Sequence, residues 1–200
     1  MSLKSNILFF IFAIFLSLFL QACEPVTPDE RREFALRKEI TSSPEALIRA
    51  LSNSTVVSRD PNQFIQQHGT QVEYHASNGT SYLWYPGNSR VVVGNWQVQA
   101  GGIFGANLCY RYGANTYNPI TNESGGSWNC SPALSSDKDI LKGNPFNLKP
   151  GSVPLIISDR GRYYPEHFAK WLGQDPSEVI YVSKIPRAAS LNKKIAAETQ

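Results

Sequence analysis

Hydrophobic positions along this chain fall into three regimes. Ile7 to Leu20 is an apolar run, ILFFIFAIFLSLFL, broken only by Ser17. Leu47, Ile48 and Leu51 are spaced to form one apolar helix face. From Asn53 to Cys130 the pattern shortens to bursts of strand-forming residues separated by turn signals. Ser43, with Pro44 at the first helical position and Glu45 behind it, marks the helix start. That helix is predicted to end near Asn53. Upstream, residues 29–39 (DERREFALRKE) predict a short charged helix.

In the strand region, Ser54 to Ser58 is β-branched, and Thr70 to Ala76 alternates. Val72, Tyr74 and Ala76 share one face; Gln71, Glu73 and His75 share the other, which reads as a solvated polar face. Asn78-Gly79 predicts a tight hairpin with both turn residues at positive φ. Ser81 to Tyr85 is the return strand, and Pro86-Gly87-Asn88 a turn. Arg90 to Val93 and Asn95 to Gln99 predict strands around Gly94; Asn107 to Tyr112 and Ser127 to Cys130 predict two more. Residues 131–150 read as polar and turn-rich. Val153 to Ser158 predicts a strand, Pro165 to Leu172 a helix closed by Gly173, and Glu178 to Ser183 a last strand. The expected fold is mainly β (α+β): an antiparallel β-meander or small barrel-like sheet, with an N-terminal helix and a short C-terminal β-α-β extension. The expected organisation is a signal segment (1–22), a tether with a charged helix (23–42), a disulfide-closed β domain (43–132), a β/α extension (133–185) and a tail (186–200).

Composition changes this picture little. Hydrophobic residues make up 42% of 200, which excludes a mostly disordered chain. A net charge of +3 is too small for a dedicated nucleic-acid binder. The apolar run changes more. Its fourteen residues rise about 21 Å as a helix, short of a bilayer core, and Lys4 precedes them, which is the pattern of a signal peptide.

Leu20-Gln21-Ala22-Cys23 closes that run and resembles the lipobox of bacterial lipoproteins. The resemblance implies that Cys23 carries acyl chains such as palmitate and begins the mature chain. By resemblance to enteric sorting rules, Glu24 at the next position implies the outer membrane, with the domain facing the periplasm. Two cysteines then remain, Cys109 and Cys130. In an oxidising compartment such a pair reads as a disulfide. No CxxC or HxxxH spacing supports a metal site, so no cofactor is expected.

Taken together, SPEALIRAL leading into N-S-T-V, the Asn-Gly turn, G-x-W-x-V, L-C-Y-R-Y and W-x-C resemble a family of small secreted or periplasmic bacterial proteins without assigned activity. The resemblance covers Pro44 to Cys130 and rests on Asn53, Thr55, Val56, Gly94, Trp96, Cys109 and Cys130. It implies no catalytic residue.

Candidate chemistry is sparse. No G-x-S-x-G elbow accompanies His68, His75 or His167. A carboxylate-pair hydrolase would need Glu73 and Glu123, or Asp159 and Glu166, to converge. Gly101 to Gly105 lacks the Lys-Ser/Thr of a phosphate loop. Aromatics and amides remain: Trp84, Arg111, Asn115, Tyr117 and Asn118 are the candidate binding residues, the last three in the loop pinned by the two cysteines. The expected function is a lipid-anchored, periplasm-facing envelope protein without enzymatic activity that binds a glycan, peptide or protein partner. The alternatives are a hydrolase of envelope polymers and a structural subunit of an envelope complex.

Overall fold

The computed structural model describes residues 27–59, 68–101, 105–118, 122–133 and 137–185. The expected signal segment (1–22), Cys23 and the expected tail (186–200) lie outside them. No helix among the described residues is long and apolar enough to cross a membrane.

The two N-terminal helices are α1 (Pro28–Ile40) and α2 (Pro44–Leu51). Ser43 caps α2, its hydroxyl accepting the Ala46 N–H at 3.2 Å. Such a cap is worth about 1 kcal/mol, because it satisfies an N–H the helix itself leaves without a partner. Leu47 and Leu51 are buried, but Ile48 is exposed, so the buried stripe is narrower than the sequence pattern predicts.

The chain then builds β1 (Ser54–Arg59), β2 (Thr70–His75), β3 (Thr80–Trp84), β4 (Val92–Ala100) and β5 (Ala106–Tyr112) as an antiparallel meander. A two-strand finger, β6 (Tyr117–Asn118) and β7 (Glu123–Ser124), rises from the end of β5. Next come β8 (Asn129–Pro132), β9 (Asp137–Lys142), helix α3 (Pro165–Trp171) and β10 (Tyr181–Ile185). The fold is mainly β: one eight-stranded, curled antiparallel sheet in the order β10-β9-β1-β2-β3-β4-β5-β8, with three α-helices among the described residues. Residues 137–142, expected to be turns, form β9, the strand beside β1. The segment 133–185 therefore completes the same sheet that the meander begins.

Both faces of the sheet are covered. On the inner face, Val56, Trp96, Leu108 and Ile140 pack with Ile40, Leu47 and Leu51 of the helices. On the outer face, Val57, Val72, Trp84 and Leu141 pack under Phe146, Leu148, Val153, Ile157 and Phe168 from the C-terminal segment. Val153 to Ser158, expected to be a strand, runs as part of this cover and holds on through Val153 N–H to Ser89 O at 3.1 Å. Arg90 to Val93 and Asn95 to Gln99 are not two strands: β4 is continuous through Gly94.

The Asn-Gly hairpin also differs from expectation. Gly79 is left-handed (φ 83°), but Asn78 is not. Gly79 N–H donates to Ala76 O and Ala76 N–H to Thr80 O, so the loop is one residue longer than a two-residue turn and needs a single left-handed residue. Cys109 and Cys130 face each other across β5 and β8 and are joined as a disulfide. The bridge closes the base of the finger.

Candidate functional site

Two polar constellations stand out, one on each face of the sheet. The inner one is buried. Glu73 and His75 of β2 are 8% and 0% exposed, so the face expected to be solvated lies inside the curl. Tyr112 of β5 donates its hydroxyl to Glu73 Oε1 at 2.8 Å. Tyr110 lies 2.8 Å from His75 Nε2, and the two tyrosine rings stack at 6.1 Å. Three strand spacings separate β5 from β2, about 14 Å in a flat sheet. The contact therefore requires strong curl, and it requires small residues in between. Gly94 on β4 and Ser81 on β3 supply them. A Cβ on Gly94 would stand 2.6 Å from the Tyr112 ring.

Burial governs the protonation of this cluster. It pushes the Glu73 carboxyl up to about 7; the hydroxyls of Tyr112, Ser81 and Tyr110 and the Lys138 ammonium pull the other way. Burial pushes His75 down to about 3, with Lys138 adding to the effect, so the imidazole is neutral at pH 7. Lys138 of β9, bonded to Ser58 Oγ at 3.2 Å, is lowered to about 8 by burial, against the pull of Glu73. His75 Nε2 and Glu73 Oε2 are 4.0 Å apart, but a neutral imidazole makes this contact no ion pair.

A stability prediction follows from Glu73. Its folded value lies above the ordinary 4.5, so the native state holds the proton more tightly than the unfolded chain. That contribution is complete below pH 4.5 and lost as pH rises to about 7. Glu73→Gln should therefore gain stability relative to wild type across that interval, by about 3 kcal/mol. Urea denaturation at pH 4.5, 5.5 and 7 reads the difference. A difference constant with pH would contradict the burial argument.

The outer constellation is open. Thr80, Val93, Asn95 and Arg111 form the floor of a hollow of about 470 Å³, and Gly113, Ala114 and Gly126 of the finger form its wall. This is the part of the outer face that the C-terminal cover does not reach: Val93 is 42% exposed. The Arg111 guanidinium lies 4.9 Å from the centre of the Trp128 ring, and Asn95 Oδ1 is 3.5 Å from Arg111 Nη2. Trp128 immediately precedes β8, the strand that the disulfide joins to β5, and sequence reasoning did not single it out.

The candidate binding residues scatter. Arg111 lines the hollow. Tyr117 is exposed at the finger, its hydroxyl donating to Asn122 Oδ1; Asn115 is exposed and Asn118 half-buried on the same finger. Trp84 is no surface residue: it is fully buried in the outer core, with its indole N–H donating to Leu155 O at 2.9 Å. Tyr82 shares its face, and that face is where the C-terminal segment packs. Of the carboxylate pairs, Glu123 lies exposed on the finger and accepts from Asn129 of β8, whereas Glu73 is buried and accepts from Tyr112. Asp159 accepts from Tyr163 and Gly161, whereas Glu166 accepts from Tyr181, so these two acids serve separate contacts. Among the described residues no His, Cys, Asp and Glu cluster is arranged to hold a metal.

Fold and site define a class of protein: a mainly β domain on one curled antiparallel sheet, with a buried polar cluster inside and an arginine-floored hollow outside. Comparison of the chain with protein-family models, curated proteins and solved structures finds no match.

Proposed function

We propose that this is a lipid-anchored protein of the bacterial envelope that binds a carboxylated glycan in the outer-face hollow, without chemistry of its own. The observation that carries the reading is Arg111, which lines the hollow and whose guanidinium also lies against the Trp128 ring beyond that lining. A guanidinium offers a planar fork to a carboxylate, and an aromatic ring beside it offers a flat apolar surface to a sugar ring. Asn95 and Thr80 add amide and hydroxyl groups on the same floor. Tyr117 on the finger is a further exposed aromatic ring, 59% exposed. The disulfide at the finger's base limits the ordering cost of binding. Cys23 and the lipobox support the anchor, and Glu24 the outer membrane.

Titration calorimetry with uronate oligosaccharides, beside neutral ones of equal length, tests the reading. Arg111→Ala should weaken uronate binding by about tenfold or more, and Trp128→Ala by a similar factor, with little change in melting temperature. Equal affinity of wild type and Arg111→Ala for the uronates, or no preference over neutral chains, would overturn it. Cys23→Ala should release the protein from the membrane fraction; retention at wild-type level would refute the anchor.

A further inference from the structure

The two constellations share Tyr112 and Gly94. Tyr112 reaches inward with its hydroxyl to Glu73 and outward with its backbone to the hollow. Its carbonyl accepts the Gly126 N–H at 2.8 Å, the bond that holds the far side of the finger against β5. Within the finger, Gly125 N–H donates to Thr116 O and Thr116 N–H to Gly113 O, and Asn129 of β8 donates to Glu123 Oε2 at 3.1 Å. Gly94, which also lines the hollow, is the seat of the Tyr112 ring. A displacement of Tyr112 that carries its backbone would therefore move the wall of the hollow.

We infer that Tyr112 is a positioning residue that couples the finger to the proton on Glu73, so that the shape of the hollow, and its affinity for an anionic ligand, follow pH. The inference rests on the preceding proposal only in treating the hollow as a binding site. The direction comes from hydrogen-bond chemistry. An ionised carboxylate is an acceptor only, and its bond to a hydroxyl is roughly twice as strong as that of a neutral acid. Ionised Glu73 holds Tyr112 in place and the finger closed on Gly126. Protonated Glu73 turns donor on one oxygen and accepts weakly on the other, which loosens Tyr112.

The groups facing Glu73 include one other that titrates in this range, Lys138, lowered to about 8 by burial. From its own strand comes His75, neutral through this range. From β5 come Tyr110 and Tyr112, both raised well above the ordinary tyrosine value by burial and by Glu73 itself. From β9 comes Lys138, with Arg59 of β1 acting on that lysine. The helices add apolar Ile40, Leu47 and Leu51 to this face. The Glu73 carboxyl, near 7, thus changes charge in a range where its ordinary counterpart would not.

The test uses the full-length protein labelled with ¹⁵N-glycine, titrated from pH 5.5 to 8.5 by NMR. The Gly126 and Gly113 amides should shift with a common midpoint near 7 in wild type. Glu73→Gln and Tyr112→Phe should flatten both curves, while Gly173, beyond α3, behaves alike in all three proteins. Uronate affinity should rise several-fold between pH 6 and 8 in wild type and stay level in Glu73→Gln; the uronate's own carboxylate is ionised throughout. Flat Gly126 in wild type, or the same titration in Glu73→Gln, would overturn the coupling. Absence of uronate binding at every pH with the Gly126 titration intact would instead remove the proposed ligand and leave the coupling standing.

Discussion

Asp139→Ala should destabilise the protein by about 3–5 kcal/mol. Asp139 and Arg59 form an ion pair at 2.6 Å whose side chains are 6% and 4% exposed. The pair joins β9 to β1 on the outer face, and the Arg59 guanidinium also lies 4.4 Å from the centre of the Tyr164 ring. A buried pair contributes little net stability, because desolvation of two charges offsets their attraction. Breaking it is different: the arginine stays buried with no counter-charge on that contact. The test is a cycle of single and double variants followed by urea denaturation. Asp139→Leu combined with Arg59→Met should recover most of what Asp139→Ala loses. A loss below about 1 kcal/mol for Asp139→Ala would show that water reaches this pair.

Trp84→Ala should cost a similar amount, about 3–5 kcal/mol, by a different route. The indole is fully buried, with Phe168 5.2 Å and Phe146 6.3 Å away between ring centres. Its N–H satisfies Leu155 O. Truncation leaves a cavity between the sheet and the C-terminal cover and removes that bond. The damage should therefore concentrate where the cover is held. Amide exchange in α3 and around Leu155 should accelerate, while the β4–β5 pair keeps most of its protection. Trp84→Phe should recover part of the packing but not the bond to Leu155. A surface role for Trp84 would predict near-wild-type stability for both variants.

Local signals in the chain determined most elements. The Ser43-Pro44-Glu45 start and the periodicity after it specify α2, since capping and an apolar stripe are local properties. Alternation and turn residues specify β1 to β5 and their meander, since consecutive strands with short turns pair with each other. The disulfide was legible from two remaining cysteines on strands. Tertiary structure decided which side of each strand meets water. Alternation places Glu73 and His75 opposite Tyr74, but it carries no sign; the helices covering their face, and the curl that brings Tyr110 to His75 and Tyr112 over Gly94, exist only in the assembled sheet. The same two-sided burial hid β9. In DKDILK the apolar Ile140 and Leu141 are adjacent and serve opposite cores, and Lys138 and Asp139 find partners 80 residues away on β1, so nothing in the segment alternates between core and solvent. Val153 to Ser158 has strand composition, yet the sheet's edges are held by β10 and β8, and its apolar residues serve the outer core instead. Arg111 was a visible candidate, but its stacking on Trp128 depends on the register of β8 against β5, a long-range pairing that no local pattern encodes.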